Sequence, residues 1–397
     1  MGIVGIEVRG LARTAVAFAV GMSVGCTGGA RLGGEADLAD TSANDTASET
    51  TTAPDATSDS VQEDASDAAS LPSCSDAAPE CGDEAYCAYP ERRCVHPVAE
   101  CADGWCMLPA AIFMMGDDGD RGPMDGYQLT RHPVILSHRI RMIATEVTAA
   151  EWEALLGPLT NRRFAGCGPD CPATGGTTTA KLAYANAASE RDGLEPCYGL
   201  ESCSGTGDQL LCDHVTYVGL LCRGYRLPSD AEAEFAARAG KDYCFDPEAP
   251  GIAGDLDAWY TCTYIPELAE AEWYCANSDV TYDGAAGCHD PTPGHQTRRC
   301  GHHPVGMKAA NAFGLHDTLG NADEVTTTLW HDYPESLETD PGHPEVIPND
   351  APLVNQLSSY AVSPIACRPT LRDRLHPLDD LGGVIGFRLV QTLFDAP

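Results

Sequence analysis

Apolar residues form one sustained run near the start of this chain, over 14–24. Apolar residues larger than alanine all but vanish over 35–70, where Leu38 and Val61 stand alone, then return in short bursts interrupted by Gly, Pro, Asn and Asp. The eleven-residue run follows Arg9 and Arg13, the charged-then-apolar order of a signal peptide, assigned to 1–25. No stretch reaches the roughly 18 apolar residues that a bilayer-spanning helix needs. Residues 35–70 hold ten Asp or Glu, no Lys or Arg, and no aromatic residue. Such a segment cannot bury enough apolar surface to offset the entropy of ordering, so 26–70 is expected to be a disordered stalk.

From 71 to 106 cysteines take over: Cys74, Cys81, Cys87, Cys94, Cys101 and Cys106, with hardly any apolar periodicity between them. This reads as a small module held by three disulfides, whose pairing the spacing leaves open. The clustered C-x-x-C pairs of a zinc site are absent. Residues 107–397 predict one large domain with few helices. Thr148-Ala-Ala-Glu151 and Ser229-Asp-Ala-Glu232 are capping boxes, each opening a helix. The second helix is expected to run to about Ala239 and stop at Gly240, and a third covers 180–190. Turn residues recur everywhere else, giving a loop-rich α+β fold with short strands.

Composition sharpens this picture. Nineteen cysteines, with 40 Gly and 28 Pro, suit an exported protein rather than a reduced cytosolic one. The formal charge is −35, from 24 Lys and Arg against 59 Asp and Glu. A chain so acidic repels phosphate backbones and anionic headgroups, which excludes nucleic-acid binding and basic-patch membrane docking. No G-x-S-x-G elbow or other hydrolase nucleophile arrangement is present.

The apolar run closes in Ser23-Val-Gly-Cys26, which resembles the lipobox of bacterial lipoproteins, with Ser where Leu is usual. The resemblance implies a lipid on Cys26 and attachment to a bacterial membrane through that lipid alone, with plain secretion as the alternative. Setting Cys26 aside leaves 18 cysteines, an even number that can all pair.

Four blocks in 107–397 resemble the formylglycine-generating enzyme family, the sulfatase-modifying factor domain. They are Phe113-Met-Met-Gly116 with Thr145-Glu-Val-Thr148; the stretch from Arg226-Leu-Pro-Ser to Arg238-Ala-Gly240; His303-Pro-Val-Gly306 with Asn311-Ala-Phe-Gly-Leu315 and Leu319-Gly-Asn321; and Ile385-Gly-Phe-Arg-Leu-Val390. The resemblance implies the family's variant of the C-type lectin fold.

The family's oxidases carry a glycine-rich strand and then two cysteines about five residues apart, whose soft thiolates bind copper(I). Here 354–374 contains Cys367 alone, with Val362 and Arg372 at those spacings. Cys367 is therefore expected to be structural; a catalytic Cys367, with copper and a protein cysteine as substrate, is the alternative. His302, His303, His289 and His295 sit among Pro and Gly and read as solvated loop residues rather than the iron ligands of the family's sulfoxide synthases. Cys167-Gly-Pro-Asp-Cys171 has the wrong spacing for a redox motif and reads as structural.

Asp317-Thr-Leu-Gly-Asn-Ala-Asp-Glu324 is similar to the family's calcium loop. The resemblance implies carboxylate ligands from Asp317 and Glu324 and carbonyl ligands from Gly320 and Ala322, the hard oxygen set calcium prefers. Asp323 and Val325 stand where the family has tryptophans. A second calcium site near Asn277 and Ser278 is only loosely matched. The function that follows is a non-catalytic, calcium-stabilised recognition or scaffold domain with a protein or glycan ligand; a rearranged formylglycine-generating oxidase is the alternative.

Overall fold

The computed structural model describes residues 73–394 apart from 78, 83, 118–129, 161–163, 242–261, 289–298, 350 and 377–382. The signal segment, Cys26, the stalk, Cys244, His289 and His295 lie outside the described residues.

Helix boundaries follow local hydrogen bonding. The Thr148 hydroxyl accepts from the Glu151 N–H while the Glu151 carboxylate accepts from the Thr148 N–H at 2.8 Å, opening α1 (Ala149–Leu156). Helix α2 (Thr178–Arg191) starts earlier than 180 because Thr177 caps it, accepting from the Ala180 N–H. The Ser229–Glu232 box opens α3 (Asp230–Arg238). Its stop comes one residue sooner than expected: Ala239 itself turns left-handed at φ 43°, and Gly240 continues at φ 83°. A Cβ on Gly240 would stand 3.0 Å from the Glu84 backbone, so glycine is needed there. Helix α4 (Pro266–Ala271) has six residues, too few for a periodic pattern, and begins with proline at its first turn.

Among the described residues the strands form three larger sheets and two small ones. One sheet runs Glu338–Thr339, His132–Leu136, Ala111–Met115, Tyr86–Ala88, Arg93–Val95; a second runs Val390–Leu393, Arg139–Ile143, Trp105–Leu108, Cys101–Ala102. The third runs Arg372–Leu375, Leu353–Gln356, Asp323–Leu329, Ile385–Gly386, its last pair parallel. The cysteine-rich segment carries its three disulfides, Cys74–Cys87, Cys81–Cys94 and Cys101–Cys106. Its strands also pair with those beyond 106: Ala88 opposes Ala111, and Cys106 opposes Met142.

All nine residues of α3 are buried. Phe235 packs on Phe113 and Phe313 at 5.4 and 5.2 Å between ring centroids, burial that contributes roughly 1.5–3 kcal/mol per such side chain. Its charged residues survive burial because each is paired. Arg226 grips Glu232 through Nη1 at 2.7 Å and Nη2 at 2.6 Å, Arg372 meets Asp230 at 3.0 Å, and Arg238 meets Glu234 at 2.8 Å. The Arg226-to-Gly240 block is thus a buried ion-pair scaffold.

Candidate functional site

The loop 317–324 enters the strand Asp323–Leu329 through two left-handed residues, Asp317 (φ 54°) and Asn321 (φ 62°). Gly320 passes so near Trp273 that a Cβ would stand 2.6 Å from its carbonyl oxygen, which only glycine permits. Asn321 ties the loop down: its Oδ1 accepts from the His303 N–H at 2.9 Å, and its own N–H donates to the Trp273 carbonyl at 3.0 Å. Asp317 Oδ2 accepts from the Gly306 N–H at 2.7 Å.

The acids of this loop differ in what they hold. Arg388 donates from Nε to both Glu324 oxygens at 2.8 Å and from Nη2 to Oε1 at 2.6 Å. Glu324 is therefore engaged by a guanidinium fork. Glu146, which the sequence reading did not single out, is the acid with open oxygens. It is 1% exposed and neither carboxylate oxygen has a hydrogen-bond partner. The Val147 N–H bonds the Phe387 carbonyl at 3.0 Å and sets Glu146 beside Arg388. Asp317 Oδ1 also lacks a partner.

Burial, followed by the charges of Asp317 and Glu324, pushes Glu146 well above the usual carboxylate range. Burial likewise raises Asp317, against the pull of the Gly306 N–H. Arg388 is disfavoured by burial, but Glu324 outweighs that, with Glu146 and Asp317 adding, and its net shift is upward.

Three buried carboxylates thus face one guanidinium. The oxygen-only donor set and the unpartnered oxygens of Glu146 and Asp317 fit a hard cation such as calcium. Among the described residues these three acids do not all gather within 4.8 Å of one another, so carbonyls of Gly320 and Ala322 would have to complete a shell. The looser second site has no open donors of this kind: Asn277 accepts from the Tyr274 N–H and donates to the Glu272 carbonyl, and Ser278 donates to the Tyr360 carbonyl.

Two histidines are not solvated as expected. His302 is 1% exposed and meets Phe164 and Tyr360 edge-on. His303 stacks on Trp273 at 3.6 Å, and burial lowers its pKa to about 4. Packing of the 302–308 segment against the loop, which proline and glycine spacing does not encode, explains both.

Asp323, standing where the family has tryptophan, is fully enclosed and pushed by burial up to about 7, although the Ser358 N–H (2.8 Å), Ser359 and Asn355 bond it. The strand Leu353–Gln356 and the serines after it, which replace the glycine-rich strand, are thus chemically matched to that acid. Val325 is fully buried in the core.

Cys367 is 0% exposed, packed with Leu268, Tyr274 and Cys275. Every other described cysteine is bridged, in the three disulfides above and in Cys167–Cys171, Cys197–Cys222, Cys203–Cys212, Cys262–Cys275 and Cys288–Cys300. No second thiol among the described residues can complete a copper pair.

The sulfatase-modifying factor enzyme 1-like domain model matches residues 94–393. The chain belongs to that family. Its fold is similar to Treponema denticola variable protein 1, with a TM-score of 0.52, 22% identity, and coverage of 73% of this chain and 95% of that one. PvdO from Pseudomonas aeruginosa follows at TM-score 0.47 and 21% identity, covering 73% and 94%. The chaperone protein LppX of Paenibacillus barcinonensis is 25% identical over 197 residues, 49% of this chain and 63% of the relative, so the chain spans less than two thirds of it. The family and the loop-rich α+β fold expected from the four blocks are borne out. The many disulfides mark an exported protein, and no described helix is long and apolar enough to cross a membrane.

Proposed function

We propose that this sulfatase-modifying-factor-like domain is a non-catalytic recognition or scaffold protein, stabilised by calcium at the 317–324 loop and displayed on a bacterial envelope through a lipid on Cys26. The observation that carries it is the state of the thiols. Oxidation of a substrate cysteine at copper(I) needs two thiolates under an open face, whereas Cys367 is enclosed and, among the described residues, its sulfur neighbours Cys262 and Cys275 are joined to each other. The matched Asp323 and Ser358 pair supports the same reading, since it builds polar structure where the family's oxidases hold tryptophan and a glycine-rich strand. A relative bearing a chaperone's name suits a surface that meets other proteins.

When bound, calcium would supply positive charge to oxygens that otherwise have none. Asp317 and Glu146 would hold it with the loop carbonyls, while Arg388 keeps Glu324 in place. Supplied with copper(I), oxygen and reductant, the mature protein is expected to leave a Cys-x-Pro-x-Arg peptide unchanged. A peptide aldehyde formed by wild type and lost in Cys367→Ser would contradict this. Mass spectrometry of the N-terminus tests the anchor, with a diacylated Cys26 expected and an unmodified terminus elsewhere contradicting it.

A further inference from the structure

The strand Leu211–Tyr217 pairs with Tyr198–Ser204 in a hairpin, and its other edge is bound by the segment 340–347. The Tyr217 N–H donates to the Glu345 carbonyl at 2.9 Å, and the Ile347 N–H donates to the Val215 carbonyl at 3.0 Å. The other end of the segment is fixed to the larger sheets. There the Asp340 N–H donates to the Ile135 carbonyl at 2.8 Å, and the Thr327 hydroxyl donates to the Gly342 carbonyl at 3.0 Å. Between these anchors sits His343. Its Nδ1 shares a hydrogen bond with the Tyr217 hydroxyl at 3.1 Å, while Nε2 is enclosed and has no hydrogen-bond partner.

A charged imidazole has two N–H donors to satisfy, and this site offers an acceptor to one of them. The charges around the ring also oppose it. His138 lies 6.5 Å away between ring centroids, between Glu232 at 2.9 Å and Asp340 at 3.0 Å. Arg226 brings a second cation, gripped by Glu232 at 2.6 Å. The acids that face His343 are thus Glu232 and Asp340, both committed to other cations, and Tyr217 is the remaining titratable neighbour. Burial lowers the His343 pKa from 6.5 to about 4, against the pull of Glu232 and Asp340 and with Arg226 and His138 adding.

We propose that the segment 340–347 is an acid-released strap: uptake of a proton by His343, which the enclosed Nε2 cannot place, detaches the segment and bares the edge of the strand Leu211–Tyr217. Because the folded value lies below the unfolded one, the stabilisation is fully present above pH 6.5 and is lost as pH falls towards 4. The acids keep their charge over that range. Burial opposes it, but His138 and Ser137 hold Asp340 below its ordinary value, and Arg226 with His138 holds Glu232 well below. This device goes beyond the recognition reading and does not rest on it.

Amide hydrogen exchange of the full mature protein with calcium present, compared at pH 7 and pH 4.5 after correction for intrinsic rates, tests it. Peptides covering 211–218 and 340–347 are expected to lose about tenfold or more in protection at pH 4.5, while α3 keeps its own. His343→Gln cannot take the proton and is expected to hold strap protection constant between the two values, with His343→Leu as the second non-titrating variant. Proton NMR of the His343 ring in wild type needs no variant, and a midpoint below 6.5 is expected. Strap protection unchanged at pH 4.5, loss that persists in a folded non-titrating variant, loss shared equally by α3, or a ring midpoint at or above 6.5 overturns the inference.

Discussion

Two buried charge clusters in this molecule differ in how they are balanced. Around α3 each acid has its own cation: Glu232 with Arg226 and His138, Asp230 with Arg372, Glu234 with Arg238. Around the loop 317–324, Glu146, Asp317 and Glu324 share Arg388. A paired, hydrogen-bonded charge is tolerated in the interior, but an uncompensated one must take up a proton or an external cation. The first cluster is therefore scaffold, and the second is where the fold responds to its surroundings.

The largest effect should come from breaking the balanced cluster. Arg226→Met leaves Glu232 buried with His138 as its one remaining ion-pair partner, and should cost about 3–5 kcal/mol in urea unfolding. Arg388→Met should be destabilising too, but calcium should recover part of the loss there and none in Arg226→Met. Equal recovery in both would erase the distinction between the clusters.

The next effect is pH dependence in the first cluster. His138 lies 2.9 Å from Glu232 and 3.0 Å from Asp340. Burial opposes its charge, but the Asp340 and Glu232 carboxylates raise it from 6.5 to about 9. Because the folded value exceeds the unfolded one, the stabilisation is fully present below pH 6.5 and is lost as pH rises through about 9. Its size is on the order of 3 kcal/mol. His138→Gln should flatten the stability curve between those limits, as measured by chemical denaturation across pH. The second cluster should lose stability in the same direction without calcium, but from a lower pH. Its raised acids favour the protonated folded form, so stability should fall as pH climbs above the usual carboxylate range, and calcium should abolish that fall.

Smaller still is the metal increment, about 2.7 kcal/mol when free calcium is roughly 100 times Kd.

The opening of α3 was legible in sequence because capping boxes are local: Ser229 and Glu232 lie three residues apart and bond each other directly; the arginines that balance its acids were not, since Arg372 comes from a strand 142 residues from Asp230. Asp317 and Gly320 were legible through the loop they share. Glu146 was not, because what singles it out is the absence of a partner, and that depends on Val147 reaching Phe387, more than 200 residues away in the chain. Its signal is an acid two residues before the Thr148 box, in a block collinear with the one bearing Arg388. The histidines at 302 and 303 misled for the same reason, since proline and glycine spacing describes a loop's backbone but not what packs over it.

The most direct test of the difference between the clusters is the thermal midpoint of wild type, Glu146→Gln and Asp317→Asn, each in chelator and in saturating calcium at pH 7. The predicted result is a calcium-dependent rise in wild type that shrinks or disappears in both variants, with Glu146→Gln at least as stable as wild type in chelator because an unbalanced buried acid has been neutralised. A wild-type midpoint indifferent to calcium, or a Glu146→Gln protein clearly destabilised in chelator, would contradict it.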